Sequence, residues 1–341
     1  MNRVFNLALG CLLCLTLMPA SAQPASSDRK RNPVPDALQY LDPDCVAWGV
    51  LSARPEDKGF QALLRTAWQG MRDNPTSSAP WLGVVSAFLS QATQEDVLLG
   101  FLPFQGVRVD RLDEKGQDHF STVVTMSGWP GVQSLFWSSL LNGPDGKPFQ
   151  TRTVNGETIV LRPKAGQEPT QGPAMARVKG SFMAFSDLAT GELSLTPRQP
   201  SGEVYTIASK LDKTQDTMGV LLNRKESLLR FLTWLDAHDV NILETGLGRE
   251  RLQKDISKIE YVTWVGDLLS DDRMDLEFHF HTQGETQAEE VAEMLKEARG
   301  ALKDKGRAAE LQMTTVRGDV IVRIEMVGFR EMLQSFLKRP L

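Results

Sequence analysis

The fold prediction starts from two short stretches, TVNGETIV at residues 153–160 and TVRGDVIV at residues 315–322. Five of the eight positions are identical, a sixth keeps an acidic residue, and the second stretch begins 162 residues after the first, at 315 against 153. In each stretch a glycine-containing turn sequence, Asn155-Gly156 or Arg317-Gly318-Asp319, separates two strand-like runs. Such sequences favour tight turns, so both stretches are predicted to be β-hairpins.

The order of predicted elements is the same in both halves of the chain. Each half runs strand, helix, helix, strand, strand, helix, hairpin, with the first strand at Val46–Leu51 or Met218–Leu222. An internal duplication would account for this parallel. The predicted fold class is therefore α+β, with two similar lobes from an internal duplication, each a mostly antiparallel sheet covered by helices.

The domain boundaries follow from breaks in the apolar pattern. The segment TPRQPSG at residues 196–202 has two prolines, one glycine and no apolar periodicity, which is typical of a linker. The predicted organisation is a signal peptide at 1–22, a flexible leader at 23–35, a first α+β lobe at 36–195, a linker at 196–202 and a second α+β lobe at 203–341.

The N-terminus predicts export. Arg3 is followed by an apolar stretch at Leu7–Met18 and by the small-residue site Ala20-Ser21-Ala22, which is the pattern of a secretory signal cleaved after Ala22. A retained anchor is one alternative, although the apolar stretch is shorter than the roughly 20 residues that span a bilayer. Acylation of Cys11 after cleavage is another. No later segment is predicted to cross a membrane, so the protein is expected to be periplasmic or extracellular.

Composition and cysteine count indicate a globular protein and disfavour a nucleic-acid partner and an internal disulfide. The 341-residue chain has 41% hydrophobic and 24% charged residues, as a globular protein does. Its 38 basic and 43 acidic residues give a net charge of −5, which disfavours a nucleic-acid partner. Of three cysteines, only Cys45 follows the predicted signal, so no internal disulfide is expected. Its apolar surroundings predict a buried thiol without nucleophilic character.

One strand suggests metal chemistry. In MDLEFHFH at residues 274–281, alternation places the apolar side chains on one face and Asp275, Glu277, His279 and His281 on the other. Two imidazoles two residues apart, with Glu277 beside them, could hold a metal that activates water. The alternative interpretation is the ordinary polar face of a half-exposed strand.

Two tryptophans are candidates for a binding surface. Trp48 and Trp264 fall in predicted strands of the two halves. An indole exposed in a groove could stack on a sugar or anchor a partner, whereas a buried indole would serve the core.

The chain lacks the motifs of common enzyme and cofactor classes. There is no G-x-S-x-G sequence for a serine nucleophile and no GxGxxG or P-loop sequence for a phosphate. The glycines of GPDGKP at residues 143–148 lie among prolines, which predicts a turn. No cofactor is predicted, and whether the protein is an enzyme stays open, with non-enzymatic roles favoured.

Several features together resemble a class of known proteins. They are the strand end Val265-Gly266-Asp267, the alternating strand and capped helix after it, and the hairpins at Gly156 and Gly318. The pattern over residues 40–338 is similar to families of uncharacterised exported bacterial proteins built from repeated strand and helix lobes. The resemblance implies that fold in outline, and no activity or catalytic residue comes with it.

Three functions remain in view after these exclusions. The leading hypothesis is an exported, soluble protein that acts by non-enzymatic binding or scaffolding in the cell envelope, with an unknown protein or small molecule as partner. The first alternative is a metal-dependent hydrolase that uses Glu277, His279 and His281. The second is a carrier of an apolar ligand.

Overall fold

The computed structural model describes residues 35–54, 56–73, 104–113, 117–126, 137, 141, 148–163, 166–178, 181–211, 214–230, 249–270, 272–304 and 308–327. The predicted signal peptide and the predicted leader up to residue 34 lie outside these residues. Among the described helices, none has both the length and the apolar character needed to cross a bilayer.

Twelve described strands form one continuous sheet in which every pairing is antiparallel. Their order across the sheet is β11-β12-β10-β9-β8-β1-β2-β3-β7-β6-β5-β4. The strands are β1 (Cys45–Ala53), β2 (Phe104–Leu112), β3 (Asp118–Met126), β4 (Thr151–Val154), β5 (Glu157–Leu161), β6 (Ala174–Val178), β7 (Ser181–Phe185), β8 (Thr217–Leu222), β9 (Ile259–Leu268), β10 (Arg273–Thr282), β11 (Ala308–Val316) and β12 (Asp319–Val327).

The described α-helices are few beside this sheet. They are α1 (Lys58–Asp73), α2 (Leu188–Leu195), α3 (Glu203–Ala208), α4 (Arg249–Ile256) and α5 (Glu285–Asp304), with short 3-10 segments at Pro35–Tyr40 and Pro169–Gln171. Asp187 begins α2 as its N-cap, because its carboxylate accepts a hydrogen bond from the Thr190 amide.

The prediction of two helix-covered α+β lobes is wrong, because the two halves join in one large open sheet. The first strand of each half, β1 and β8, pair with each other along Ala47–Leu51 and Thr217–Leu221. Gly49 lies opposite Gly219 at the centre of this pairing. A Cβ atom on Gly219 would lie 2.0 Å from the indole of Trp264 on the neighbouring strand β9, so this position requires glycine. The order of elements within a half does not reveal which strand edges pair. Here the edges of β1 and β8 pair and join the two halves.

The sheet uses opposite faces in its two halves. We call the face that carries Trp48, Val50, Met218 and Val220 the front. In the first half the front face packs under the 3-10 segment at 35–40, α2 and α3, through Ala37, Leu188 and Val204 among others. In the second half the back face packs under α4 and α5, and the core there comprises Ile256, Val262, Ala288, Val291, Val320 and Val322 together with further apolar side chains.

The two hairpins that match in sequence do not occupy matching places. From the centre outward, the first half runs β1-β2-β3-β7-β6 and the second runs β8-β9-β10-β12-β11. Hairpin β11–β12 therefore corresponds in position to β6–β7, whereas β4–β5 lies further out at the edge. What the matching sequences share is the turn: φ is 50° and 83° at Asn155 and Gly156, and 48° and 88° at Arg317 and Gly318. Two positive φ values in a row define the turn that suits a two-residue hairpin.

A buried ion pair fastens the beginning of the described chain to the sheet. Arg111 on β2 donates to Asp42 at 2.8 Å, and the two side chains are 4% and 6% exposed. Arg198, in the predicted linker, reaches the same carboxylate at 3.0 Å. Burial opposes ionisation of Asp42, and the charge and hydrogen bond of Arg111 outweigh it, so the pKa of this carboxyl is lowered.

Candidate functional site

The polar side chains predicted from the sequence lie on the front face of the second half. Antiparallel register aligns β9, β10 and β12 so that side chains on the three strands form rows. Because β10 alternates, Glu277, His279 and His281 all point to the front, while Phe278 and Phe280 join the core on the back. The rows are Tyr261, His281 and Asp319, then Thr263, His279 and Ile321, then Val265, Glu277 and Arg323.

A shallow groove lies at the edge of this polar face. Helix α3 packs on β1 and β8 on the front, whereas α5 packs on β10 and β12 from the back. The step between α3 and the open strands leaves a groove of about 360 Å³. It is lined by Ile207, Lys210, Leu211, Tyr261, Thr263, Trp264, Val265, Glu277, His279 and His281. We call it the α3 groove.

Glu277 is held between two basic groups. Its carboxylate accepts from His279 Nε2 at 2.5 Å and from Arg323 Nε on the neighbouring strand. The hydrogen bond from His279 lowers the pKa of Glu277 most, burial works against it, and Arg323 adds to the lowering, so the pKa is about 2. Glu277 is therefore a carboxylate at neutral pH, and both of its oxygens are engaged.

His281 is held by a carboxylate and by an aromatic ring. Its Nδ1 lies 2.9 Å from Asp319 Oδ1, and its ring stacks on Tyr261 with centroids 4.1 Å apart and planes 21° apart. Burial lowers the pKa of His281 despite the charge of Asp319. Burial also raises the pKa of Tyr261, and the charges of Asp319, Glu260 and Glu203 act in the same direction.

The structure brings all three predicted metal residues into the α3 groove, but Glu277 and the histidines pair with each other and with neighbours. The rings of His279 and His281 have centroids 6.1 Å apart and planes 27° apart. Among the described residues, no three His, Cys, Asp or Glu side chains are arranged to hold a metal ion. The three-ligand site with Glu277 stays a prediction.

The two predicted tryptophans lie at different places and are both shielded. Trp48, on the front of β1, is 0% exposed and donates from Nε1 to the Ala37 carbonyl at 3.1 Å. Trp264, on the back of β9, is 5% exposed and lies against Gly219. In this structure neither indole presents its face to solvent, although Trp264 is among the residues that line the α3 groove. The ring of Tyr261 stacks on His281 in the same groove.

Sequence reasoning missed Lys210, Tyr261, Asp319 and Arg323. The alternation of β12 was a usable signal, since it places Asp319 and Arg323 on one face of that strand. The pairing of β12 with β10 was not visible in the sequence, and this pairing is what brings those two side chains to His281 and Glu277. Lys210 follows α3 and reaches the groove only through the packing of that helix.

Two further polar clusters lie outside the groove. His119 faces Asp187 at 2.7 Å through Nδ1 and Asp113 at 3.6 Å through Nε2. Cys45 is buried beside Asp42, and burial raises its pKa to about 12, which leaves the thiol protonated and unreactive at neutral pH.

Comparison of the chain with protein-family models, curated proteins and solved structures finds no match. The likeness to uncharacterised exported bacterial proteins therefore stays a resemblance.

Proposed function

We propose that the protein is exported and acts in the cell envelope by binding a small molecule or a segment of a partner protein in the α3 groove, without catalysing a reaction. The observation that carries this proposal is the groove itself. A concavity of about 360 Å³ is within the usual range for ligand sites of proteins, which combine apolar walls with a few polar groups.

The lining supports binding because it offers both kinds of contact. Ile207 and Leu211 supply an apolar wall, while Lys210 supplies a charge at the rim. On the floor, the side chains of Glu277 and His279 are 26% and 30% exposed, so a ligand can reach them. Their mutual hydrogen bond holds them in place, which reduces the entropy that a ligand would lose in ordering them.

Export is supported by residues 1–22, whose basic start, apolar stretch and small-residue site have the order of a secretory signal. N-terminal sequencing of the protein from its native envelope tests this part. We expect the chain to begin at Gln23, and a chain that keeps residues 1–22 would contradict cleavage.

Affinity recovery from the native envelope, followed by native mass spectrometry, tests the groove. Lys210→Trp places an indole at the groove, and Arg152→Trp adds the same bulk on the exposed edge strand β4 as a matched control. We expect one bound molecule to accompany the wild-type protein and the Arg152→Trp variant and to be lost from Lys210→Trp. Equal recovery with Lys210→Trp, or no bound molecule with the wild type, would overturn the proposal.

A carrier of an apolar ligand is the second candidate, favoured by the apolar residues Ile207, Leu211 and Val265 among those that line the groove. The same mass spectrum separates the two. A lipid or other apolar molecule identifies a carrier, whereas a polar molecule or a peptide identifies a binding or scaffolding role.

A further inference from the structure

Two imidazoles in the α3 groove share an arrangement that His119 does not have. A carboxylate engages one ring nitrogen of each: Glu277 faces Nε2 of His279, and Asp319 faces Nδ1 of His281. The second nitrogen of each ring, Nδ1 of His279 and Nε2 of His281, is not engaged by these carboxylates. In contrast, His119 has a carboxylate on both sides, Asp187 at Nδ1 and Asp113 at Nε2.

A carboxylate at one ring nitrogen is a common feature of metal-binding histidines. A ligating imidazole usually donates its other ring N–H to a carboxylate or carbonyl, which orients the ring and increases the basicity of the ligating nitrogen. We infer that His279 and His281 together bind one transition-metal ion in the α3 groove, with Glu277 and Asp319 as orienting carboxylates. The inference rests on the proposed function, because the ion would occupy the same groove.

The assignment changes the role of Glu277 that the sequence predicted. Both oxygens of Glu277 are engaged, one by His279 and one by Arg323, so this side chain positions a ligand and does not coordinate the ion. Asp319, which sequence reasoning missed, takes the same role for His281. Two protein ligands leave the remaining coordination positions for water or for the molecule that binds in the groove.

The centroids of the two rings lie slightly farther apart than a shared ion requires, so the rings would have to approach each other by a small movement. Metal–nitrogen bonds of about 2.0–2.1 Å hold the centroids of two imidazoles on one ion roughly 5–6 Å apart. The observed distance is 6.1 Å. The side chains of His279 and His281 are 30% and 21% exposed, so solvent and ions can reach both. Imidazole ligands suit Zn²⁺, Ni²⁺ and Cu²⁺.

Isothermal titration of the exported protein with ZnCl₂ and NiCl₂, after treatment with a chelator and dialysis, tests the inference. We expect one ion per chain for the wild type. His279→Ala and His281→Ala should each weaken binding at least tenfold. Glu277→Gln and Asp319→Asn should weaken it roughly 10- to 100-fold while keeping the stoichiometry, as loss of an orienting partner does. The control His119→Ala should bind as the wild type does, and circular dichroism of each variant checks that the fold is kept.

Three results would overturn the inference. They are the absence of metal binding by the wild type at millimolar concentrations, an equal loss in His119→Ala, and binding by the double variant His279→Ala/His281→Ala that equals the wild type. These outcomes are independent of the groove test. If metal binding fails while Lys210→Trp still loses the recovered molecule, the metal inference falls and the proposed function stands. If the ion binds as expected while no molecule is recovered with the wild type, the proposed function falls and the metal inference stands.

Discussion

The five inner strands of the first half and the five strands of the second half have the same order from the centre outward, but one equivalent row of side chains differs between them. In the first half, Val50, Val107, Val123 and Met183 lie side by side on the front face and are buried. In the second half, the corresponding row is Val220, Thr263, His279 and Ile321. The first row lies in the core that the 3-10 segment, α2 and α3 cover, whereas His279 and Ile321 in the outer part of the second are half-buried. The α3 groove is where this cover ends, so the difference between the halves creates the candidate site.

The largest effect is expected from the anchor of the covered half. Asp42→Ala should lower the free energy of unfolding by about 3–5 kcal/mol, because it leaves the Arg111 guanidinium buried without its carboxylate partner. Chemical denaturation measures the change. The control is Glu293→Ala, which breaks the Glu293–Lys296 pair, whose side chains are 62% and 55% exposed, and should cost about 1 kcal/mol or less. Equal effects of the two variants would contradict the role of Asp42 as an anchor.

An exchange of residues between the two rows tests the comparison directly. Val123 is 4% exposed, so Val123→His should destabilise the protein by about 2–3 kcal/mol by burying an imidazole without a partner. His279→Val should change the free energy of unfolding by less than about 1 kcal/mol, because Glu277 keeps Arg323 as a partner. The measurement is urea denaturation of both variants beside the wild type. Similar losses in the two would show that the second row is also part of a covered core.

The smallest effect is expected from His119 in the covered half. Burial lowers its pKa, and the hydrogen bond and charge of Asp187, followed by those of Asp113, outweigh this and raise it above the ordinary value of 6.5. A raised folded pKa stabilises the protein below the unfolded pKa, and this contribution is lost as pH rises through the folded pKa. The contribution should be about 0.2–1 kcal/mol, since the side chain is partly exposed.

The free energies of unfolding of the wild type and His119→Gln, measured at pH 5.5 and at pH 9, check this expectation. The difference between the two proteins should be larger at pH 5.5 and should shrink at pH 9. A difference that does not vary between these pH values would show that His119 contributes through packing alone.

Local features of the site were predictable and their combination was not. Alternation along 274–281 indicated that Glu277, His279 and His281 share a face, because side-chain direction in a strand follows a period of two. The burial of Cys45 also followed from its apolar neighbours. The partners of those side chains could not be derived, since Asp319 and Arg323 reach them across the pairing of β10 with β12. The matching hairpins misled the fold prediction, because they share the backbone conformation of the turn but occupy different places in the sheet.

The sequence by itself determined the turns at Asn155-Gly156 and Arg317-Gly318, the alternation of the strands and the apolar faces of the helices, all of which depend on interactions between near neighbours. Only the tertiary structure decided that β1 and β8 join the halves into one sheet, and that helices cover opposite faces of its two ends. Hydrogen bonds between strand edges are made by the backbone, so the side chains do not specify which edges pair. The alternation of apolar and polar residues, in contrast, can be read directly from the side chains. The strand edges that meet, and the face of each half that the described helices cover, are therefore settled by tertiary packing.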